Sequence, residues 1–529
     1  MIQTVILSLC SVFLCLLGAK GLFHYFQLES YQYHGFFKTL LRNPLHAFLP
    51  GIAACALAFL LGLVFSLLNR ISLSLAAGLV LPVSLGLGLL LGRLFSVKNA
   101  KKKMVFTPRL KRLYGVSFVV LALLSFFSHR LLGETLGCLW ALLLPLWVAL
   151  SGLLAWPMEK VITECYFQDA RRKLLSDPSL IRIGITGSYG KTTVKHILGT
   201  ILSEKYPVLY TPASFNTPMG VTRTIREKLL PSHRVFIAEM GARHVGDIKE
   251  LCRLVKPQYG LITSVGPQHL DTFKTVERVA GTKYELIEAL PEENSHSFFW
   301  DDGAFLTQMN QKTRKPHSLA GNHPDGCACW YDGLSSGPDG STFRLHFADG
   351  TAVDCQTVLL GRVNVQNITL AAMAARELGL TQQQIARGIS RIKPVKHRME
   401  ILRNPGGFTV IDDAFNANPV GAQEAMNIIS EFPGRKIVIT PGMVELGSQE
   451  AELNRAFGRQ IAQAADIAII IGKNRVKPIL EGLKEAGMPE NRVHQVDSLQ
   501  DSTLLLHQLV KPGDVVLYEN DLPDHYQES

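Results

Sequence analysis

IRIGITGSYGKTT, residues 181–193, runs straight into VKHILGTIL, residues 194–202. Ile181 to Thr186 form a short β-branched strand, Gly187 to Gly190 a glycine loop, and the run from Lys191 has the apolar spacing of a helix. Strand, loop and helix in that order make a phosphate cradle, because the loop amides and the helix N-terminus all present N–H groups. Gly187, Ser188, Gly190, Lys191, Thr192 and Thr193 are therefore expected to surround a nucleotide, with Lys191 on the β/γ oxygens and Thr192 on Mg²⁺. The usual eight-residue pattern asks for glycine at 185, where this chain has Ile185. The loop is thus the shorter form TGSxGKTT.

Upstream of this loop the chain changes character. At 529 residues, 47% hydrophobic and a mean hydropathy of +0.16, it is oilier than a soluble chain of that length, so membrane and soluble parts are expected. Five apolar stretches, roughly 2–23, 46–68, 71–95, 113–130 and 132–156, approach or reach the ~20 residues that cross hydrocarbon. Loops rich in Lys and Arg (Lys38 and Arg42; Lys98, Lys101, Lys102, Lys103, Arg109, Lys111 and Arg112; Lys160, Arg171, Arg172 and Lys173) alternate with loops carrying Arg70 or Arg130 alone. By the positive-inside rule this places the N-terminus outside and the region after residue 160 in the cytoplasm. Fusion of the last two stretches into one kinked hairpin would give four spans instead. The net charge of +10 falls largely in and just after this part, which points to anionic lipid and away from nucleic acid. Nine scattered cysteines with no CxxC pair suit a reducing compartment and give no zinc spacing. The expected organisation is a membrane domain (1–160), a juxtamembrane linker (161–178), an α/β nucleotide-binding domain (179–391) and a Rossmann-like α/β domain (392–529).

Downstream, further segments follow in a fixed order: SFNTPMGVT with Asn216, EMGARHVGDI beginning at Glu239, ITSVGPQHLDTF with His269, GTKYEL with Lys283, GRVNVQNITLAAMAARELGL with Asn364 and Asn367, KHRME with Arg398, and DDAFNANP with Asp413, Asn416 and Asn418. Together with the phosphate loop these resemble the Mur ligases of bacterial cell-wall synthesis, most closely the D-alanyl-D-alanine-adding type, over about residues 181–518. From the residues alone, Glu239 closes the apolar strand VFIAEM and His269 follows GLITSV, so both should stand at carboxyl ends of parallel strands, where open α/β sheets bind ligands.

The resemblance implies an ATP-dependent ligase forming an amide through an acyl phosphate, with Thr192 and Glu239 at one Mg²⁺ and His269 near a second. It also implies a CO₂-derived carbamate on Lys283 at that second metal. A lysine of ordinary pKa is only about a thousandth neutral at pH 7.4, and only the neutral amine takes up CO₂, so its pocket must lower the pKa. Asn364 and Asn367 would meet the nucleotide, Arg398 and Asp413 would reach its phosphates and ribose, and Asn216, Asn416 and Asn418 would shape the substrate cleft. The implied partners are a peptidoglycan-type precursor, UDP-linked or lipid-linked, and D-alanyl-D-alanine or an amino acid. The implied location is the bacterial cytoplasmic membrane.

Three positions depart from the family pattern. Val363 stands where histidine is usual, Gly442 where an acidic residue is usual, and YENDLPD (518–524) where a basic KGSR-like tail is usual. They leave room for a poly-γ-glutamate or folylpolyglutamate type of ligase, or for a non-catalytic ATP-binding regulator. A transporter ATPase is disfavoured, since no ABC-type signature follows the loop.

Overall fold

The computed structural model describes residues 1–97, 103–213, 215–403, 406–414, 418–444 and 446–520, without the side chains of Asp271 and Arg403. The chain divides into two compact units, Met1–Cys165 and Tyr166–Ser529.

The first unit is all helical. Four of its helical segments, Pro44–Asn69, Leu73–Leu94, Pro108–Leu136 and Leu139–Leu175, are long and apolar enough to cross a membrane, and the bent pair Ile2–Gly18 and Lys20–Leu28 would make a fifth. The expected first span, 2–23, is thus two helices meeting at 43°. The expected fourth and fifth spans lie in separate helical segments, with a break at Gly133, whose φ of 86° no helix accommodates. Ile2–Gly18 supplies much of the interior, with Leu7, Val12, Leu14 and Cys15 buried. Gly88 and Gly92 let it approach Leu73–Leu94 closely: a Cβ on either would fall 2.7 Å from Phe13 O or 2.6 Å from Leu17 O. Small residues four apart let helix backbones meet in this way. Arg112 grips Glu159 through two hydrogen bonds of 2.6 and 2.8 Å. Residues 161–175, expected as a linker, are the last turns of the helix Leu144–Leu175.

The second unit holds two sheets. The larger comprises β1 (Ile181–Thr186), β2 (Val208–Tyr210), β3 (Val235–Glu239), β4 (Tyr259–Ile262), β5 (His296–Trp300), β6 (His317–Gly321), β7 (Cys329–Gly337), β8 (Gly340–Phe347) and β9 (Ala352–Thr357). Their order is β2-β3-β1-β4-β5-β6-β7-β8-β9. Pairing is parallel from β2 to β7 and antiparallel across β7, β8 and β9. Ile183, Ile185, Val235 to Ala238, Leu261 and Ile262 are all fully buried, as expected of strands covered on both faces. The chain leaves β1 toward β2 and leaves its neighbour β4 toward β5, in opposite directions, which opens a crevice beside the loop that follows β1.

The smaller sheet comprises β10 (Glu400–Arg403), β11 (Thr409–Asp413), β12 (Lys436–Thr440), β13 (Ile467–Ile471), β14 (Val493–Val496) and β15 (Val515–Glu519). Its order is β10-β11-β15-β12-β13-β14, antiparallel only at β10. The two α/β layers expected from the alternating strand and helix patterns are both present.

Candidate functional site

The glycine loop is stitched to the segment after β4. Ser188 N donates to Ser264 O (2.8 Å), Tyr189 N to Ser264 Oγ (2.7 Å) and Tyr189 OH to Pro267 O (2.5 Å). Ser188 Oγ both donates to Gly266 O (3.1 Å) and accepts from Gly266 N (3.0 Å). These bonds explain why TGSYGKTT and ITSVGPQH occur together: the second segment holds the first in shape and brings His269 to the same edge of the sheet. Gly187 is required, because a Cβ there would fall 2.0 Å from Thr263 Oγ1. Gly190 has φ 79° and backs onto Asn367, whose Oδ1 a Cβ would approach to 2.9 Å. The loop leads into the helix Lys191–Leu202, where Lys191 Nζ donates to Gly187 O (2.6 Å) and Ser188 O (3.0 Å). Burial lowers the Lys191 ammonium to about 8, with Glu239 opposing the shift and Arg398 adding to it. Thr192 is buried, and its hydroxyl makes no hydrogen bond among the described residues.

Glu239 ends β3, next to β1. Its Oε2 accepts from Lys195 Nζ at 2.9 Å and its Oε1 from Asn216 Nδ2 at 3.1 Å, while Lys195 also donates to Ala213 O. Burial works to raise the Glu239 carboxyl, but Lys195, Lys191 and Asn216 together hold it below the usual carboxylate range. Asn216 is further fixed by Gly241 N, which donates to its carbonyl at 2.8 Å. Lys195 is a residue that the sequence alone did not single out. Its signal was its place four residues after Lys191 on one helix, inside an apolar run where an unpaired lysine would not be tolerated.

Lys283 lies on the helix Val276–Glu288 and is almost wholly buried. No hydrogen-bond acceptor for its amine occurs among the described residues. Burial takes it well below the ordinary lysine pKa, and the charge of Lys191 adds to the effect. The segment EMGARHVGDI is held by Glu285 on the same helix, whose carboxylate accepts from Gly246 N (2.8 Å) and Lys249 N (2.9 Å). His269 is half-buried with φ 52° and begins the short helix Leu270–Phe273.

The second sheet brings Arg398 to the phosphate loop. A narrow crevice is lined by Thr193, His196, Asn364 and Arg398, among others. Burial lowers the Arg398 guanidinium, and Asp413 and Glu239 oppose the shift. Asn364 Nδ2 donates to Leu360 O (2.8 Å). His196, also unanticipated, is lowered to about 4 by burial and by Lys195 beside it. A cleft of about 350 Å³ opens between Leu270, Lys274, Thr275 and Val276 on one side and Gly447, Ser448 and Gln449 on the other. Asn418 caps the helix Pro419–Ser430, its Oδ1 accepting from Gly421 N at 2.9 Å, so that oxygen is engaged in the fold. Asn416 lies outside the described residues, as do residues 521–524 of the tail.

The departures from the family pattern have local reasons or consequences. Gly442 has φ 81°, which glycine adopts without strain, and a Cβ there would press on Ile479 at 2.7 Å and Asn454 Oδ1 at 2.9 Å. Val363 N donates to Glu424 Oε1 at 3.3 Å. Glu519, the last residue of β15, stands in register with Asp413 at the end of β11. Both carboxylate oxygens of Glu519 are buried with no hydrogen-bond donor among the described residues. Burial raises Asp413 to about 6 despite Arg398, and burial together with Asp413 raises Glu519 well above the carboxylate range. Two carboxyls so placed disfavour each other's ionisation.

Residues 185–375 match the family model of the Mur ligase middle domain and residues 397–518 that of the Mur ligase glutamate ligase domain. The UDP-N-acetylmuramoyl-tripeptide--D-alanyl-D-alanine ligase of Mycobacterium tuberculosis is 30% identical over 361 residues, 63% of this chain and 69% of that protein. Its namesake from Bacillus subtilis is 26% identical over 341 residues, 64% of this chain and 72% of that protein. Among solved structures, MurF from Acinetobacter baumannii superposes with a TM-score of 0.62 at 23% identity, covering 69% of this chain and 78% of that one. MurF from Thermotoga maritima in complex with ADP gives 0.60 at 24%, covering 68% and 80%. With the sheet order, the phosphate loop and the residues gathered around it, these likenesses establish that the chain belongs to the Mur ligase family, the ATP-dependent ligases that form C–N bonds.

Proposed function

We propose that this protein is a membrane-anchored ligase of the D-alanyl-D-alanine-adding type, joining D-alanyl-D-alanine or an amino acid to a peptidoglycan precursor. The observation that carries the reading is the cluster of Lys191, Lys195, Glu239, Asn216 and Lys283 at the carboxyl edge of the larger sheet, with Arg398 delivered to it from the smaller one. Activating a carboxylate brings two anions together, and only a site dense in cations and metal ligands tolerates that.

In this reading the loop amides and Lys191 hold the ATP phosphates. Lys191 exchanges its two carbonyl acceptors for phosphate oxygens. The free hydroxyl of Thr192 and the lone pairs of Glu239 not used by Lys195 and Asn216 fit one Mg²⁺, which when bound screens the phosphate charge. His269 and Lys283 serve a second ion. The low pKa and absent acceptor of Lys283 suit an amine that takes up CO₂ as a carbamate. The substrate carboxylate attacks the γ-phosphate to give an acyl phosphate and ADP, and the incoming amine then displaces phosphate. Arg398, Asp413 and Asn364 position the nucleotide from the side of the smaller sheet, and closure of the two α/β parts excludes water from the acyl phosphate.

We read residues 1–165 as the membrane anchor, and this favours a precursor presented at the membrane. The helices long enough to span support it, as does the alternation of basic loops. The test is phosphate release by the full chain in detergent, with ATP and Mg²⁺, across UDP-linked and lipid-linked muramyl peptides paired with D-alanyl-D-alanine or single amino acids. Release that needs both partners, with the amide found by mass spectrometry, is the expected outcome. Tight ATP binding without turnover of any pair would argue for the regulator.

A further inference from the structure

Away from the phosphate loop, the carboxyl ends of β5 and β6 gather three side chains of different chemistry. Asp301 follows Trp300, the last residue of β5, and its N–H donates to Ala320 O of β6 at 2.7 Å, so its backbone is part of the sheet edge. Its Oδ1 is occupied by Thr307 Oγ1 (2.6 Å) and Gly303 N (3.1 Å). That leaves Oδ2 facing His323 Nε2 at 3.1 Å. His323 and Cys327 are brought together by a tight turn in which Cys327 N donates to Pro324 O (3.2 Å) and Gly326 has φ 69°. Gly321 leaves the thiol its room: a Cβ there would stand 2.7 Å from Cys327 Sγ and 3.7 Å from His323 Nε2. The donor atoms of Asp301, His323 and Cys327 all lie within 4.8 Å of one another.

An ion pair between His323 and Asp301 needs no thiol, and a structural buried cysteine needs neither of them. The three together, one carboxylate oxygen, one imidazole nitrogen and one sulfur, form the mixed donor set that zinc accepts. Tetrahedral zinc holds such atoms about 3.3–3.8 Å apart, given bonds of about 2.0–2.3 Å. The pair at 3.1 Å is close to that already. Thr307 and Gly303 do for Asp301 what outer hydrogen bonds do for metal-bound carboxylates, fixing which oxygen faces inward. The sequence offered no warning, because the ligands come from two strand ends and not from a CxxC repeat.

The geometry points to a zinc-type cation site formed by Asp301, His323 and Cys327, with its fourth position open to water on the exposed side of His323. On binding, the Cys327 thiol gives its proton to solvent and the neutral imidazole and carboxylate add without further proton change. The bound ion ties the 321–328 turn to the end of β5.

The test uses the full chain in detergent, stripped with chelator and dialysed against Zn²⁺, with bound metal counted by mass spectrometry. The wild-type chain should retain one zinc more than Cys327→Ser, His323→Ala or Asp301→Asn, each checked for unchanged circular dichroism. Thr307→Val, which frees Asp301 to turn, should bind about tenfold more weakly. Co²⁺ in place of Zn²⁺ should give thiolate-to-metal charge-transfer absorption that Cys327→Ser abolishes. Equal zinc content in wild type and all three variants, or a cobalt spectrum indifferent to Cys327, would overturn the assignment.

Discussion

Lys195 Nζ lies 2.9 Å from Glu239 Oε2, and both side chains are sealed from solvent. The lysine comes from the helix after the phosphate loop and the glutamate from the end of β3, so the bond fixes the cation-rich and the acidic walls of the site to each other. Breaking one partner leaves a buried charge alone, which costs on the order of 3–5 kcal/mol. Lys195→Met should therefore lower the thermal midpoint markedly, and the double variant Lys195→Met/Glu239→Gln should recover most of the loss. Equal midpoints for wild type and Lys195→Met would show that the pair is not what holds these walls together.

Lys191→Ala removes the lysine whose amine sits on the loop carbonyls at the mouth of the cradle. Turnover should fall by about 10²–10³ or more, by analogy with the loss of a single charge-stabilising donor, while membrane insertion is unchanged. Retained nucleotide-dependent product would remove the loop from the mechanism.

Lys283 should make activity depend on dissolved CO₂. Degassed buffer should lower the rate and bicarbonate restore it, because burial lowers its ammonium well below the ordinary lysine range and so favours the amine that takes up CO₂. Lys283→Arg, which cannot form the carbamate, should be inactive with or without bicarbonate. A wild-type rate indifferent to CO₂ would leave Lys283 a plain cation.

The Asp413–Glu519 pair makes a signed prediction about pH. Both folded carboxyls sit above their ordinary values, so the folded chain binds more protons than the unfolded one. Stability is then unimpaired below about pH 4 and declines as pH rises through about 6, by about 1.4 kcal/mol for each pH unit over which the folded pair keeps its extra proton. Glu519→Gln, able to donate to Asp413, should be more stable than wild type at pH 8 and nearly equal to it at about pH 4.5. A difference that is flat with pH would mean that the two carboxyls do not disfavour each other's ionisation.

Residues 1–165 should resist extraction by alkaline carbonate and need detergent. Release of intact chain by carbonate alone would refute the anchor.

Much of this was already determined by the sequence. The β-branched run before Gly187, the apolar closure of β3 at Glu239 and the alternation of strands with helices fixed both α/β layers, because hydrophobic period and glycine placement are local properties that a single chain displays. The long apolar helices were equally legible, since length and hydropathy alone qualify them. What the tertiary structure decided were matters of partnership. Lys195 takes Glu239, Glu285 holds the turn after β3, Asn418 is a helix cap, and Gly442 takes a left-handed φ close against Asn454 and Ile479. The meeting of Asp413 with Glu519 depends on β15 pairing with β11 across a hundred residues of intervening chain, and that of Asp301 with His323 and Cys327 on two strand ends lying side by side. Such pairs are set by sheet order and burial, and a carboxylate or lysine reads the same in the sequence whether water or another buried charge faces it.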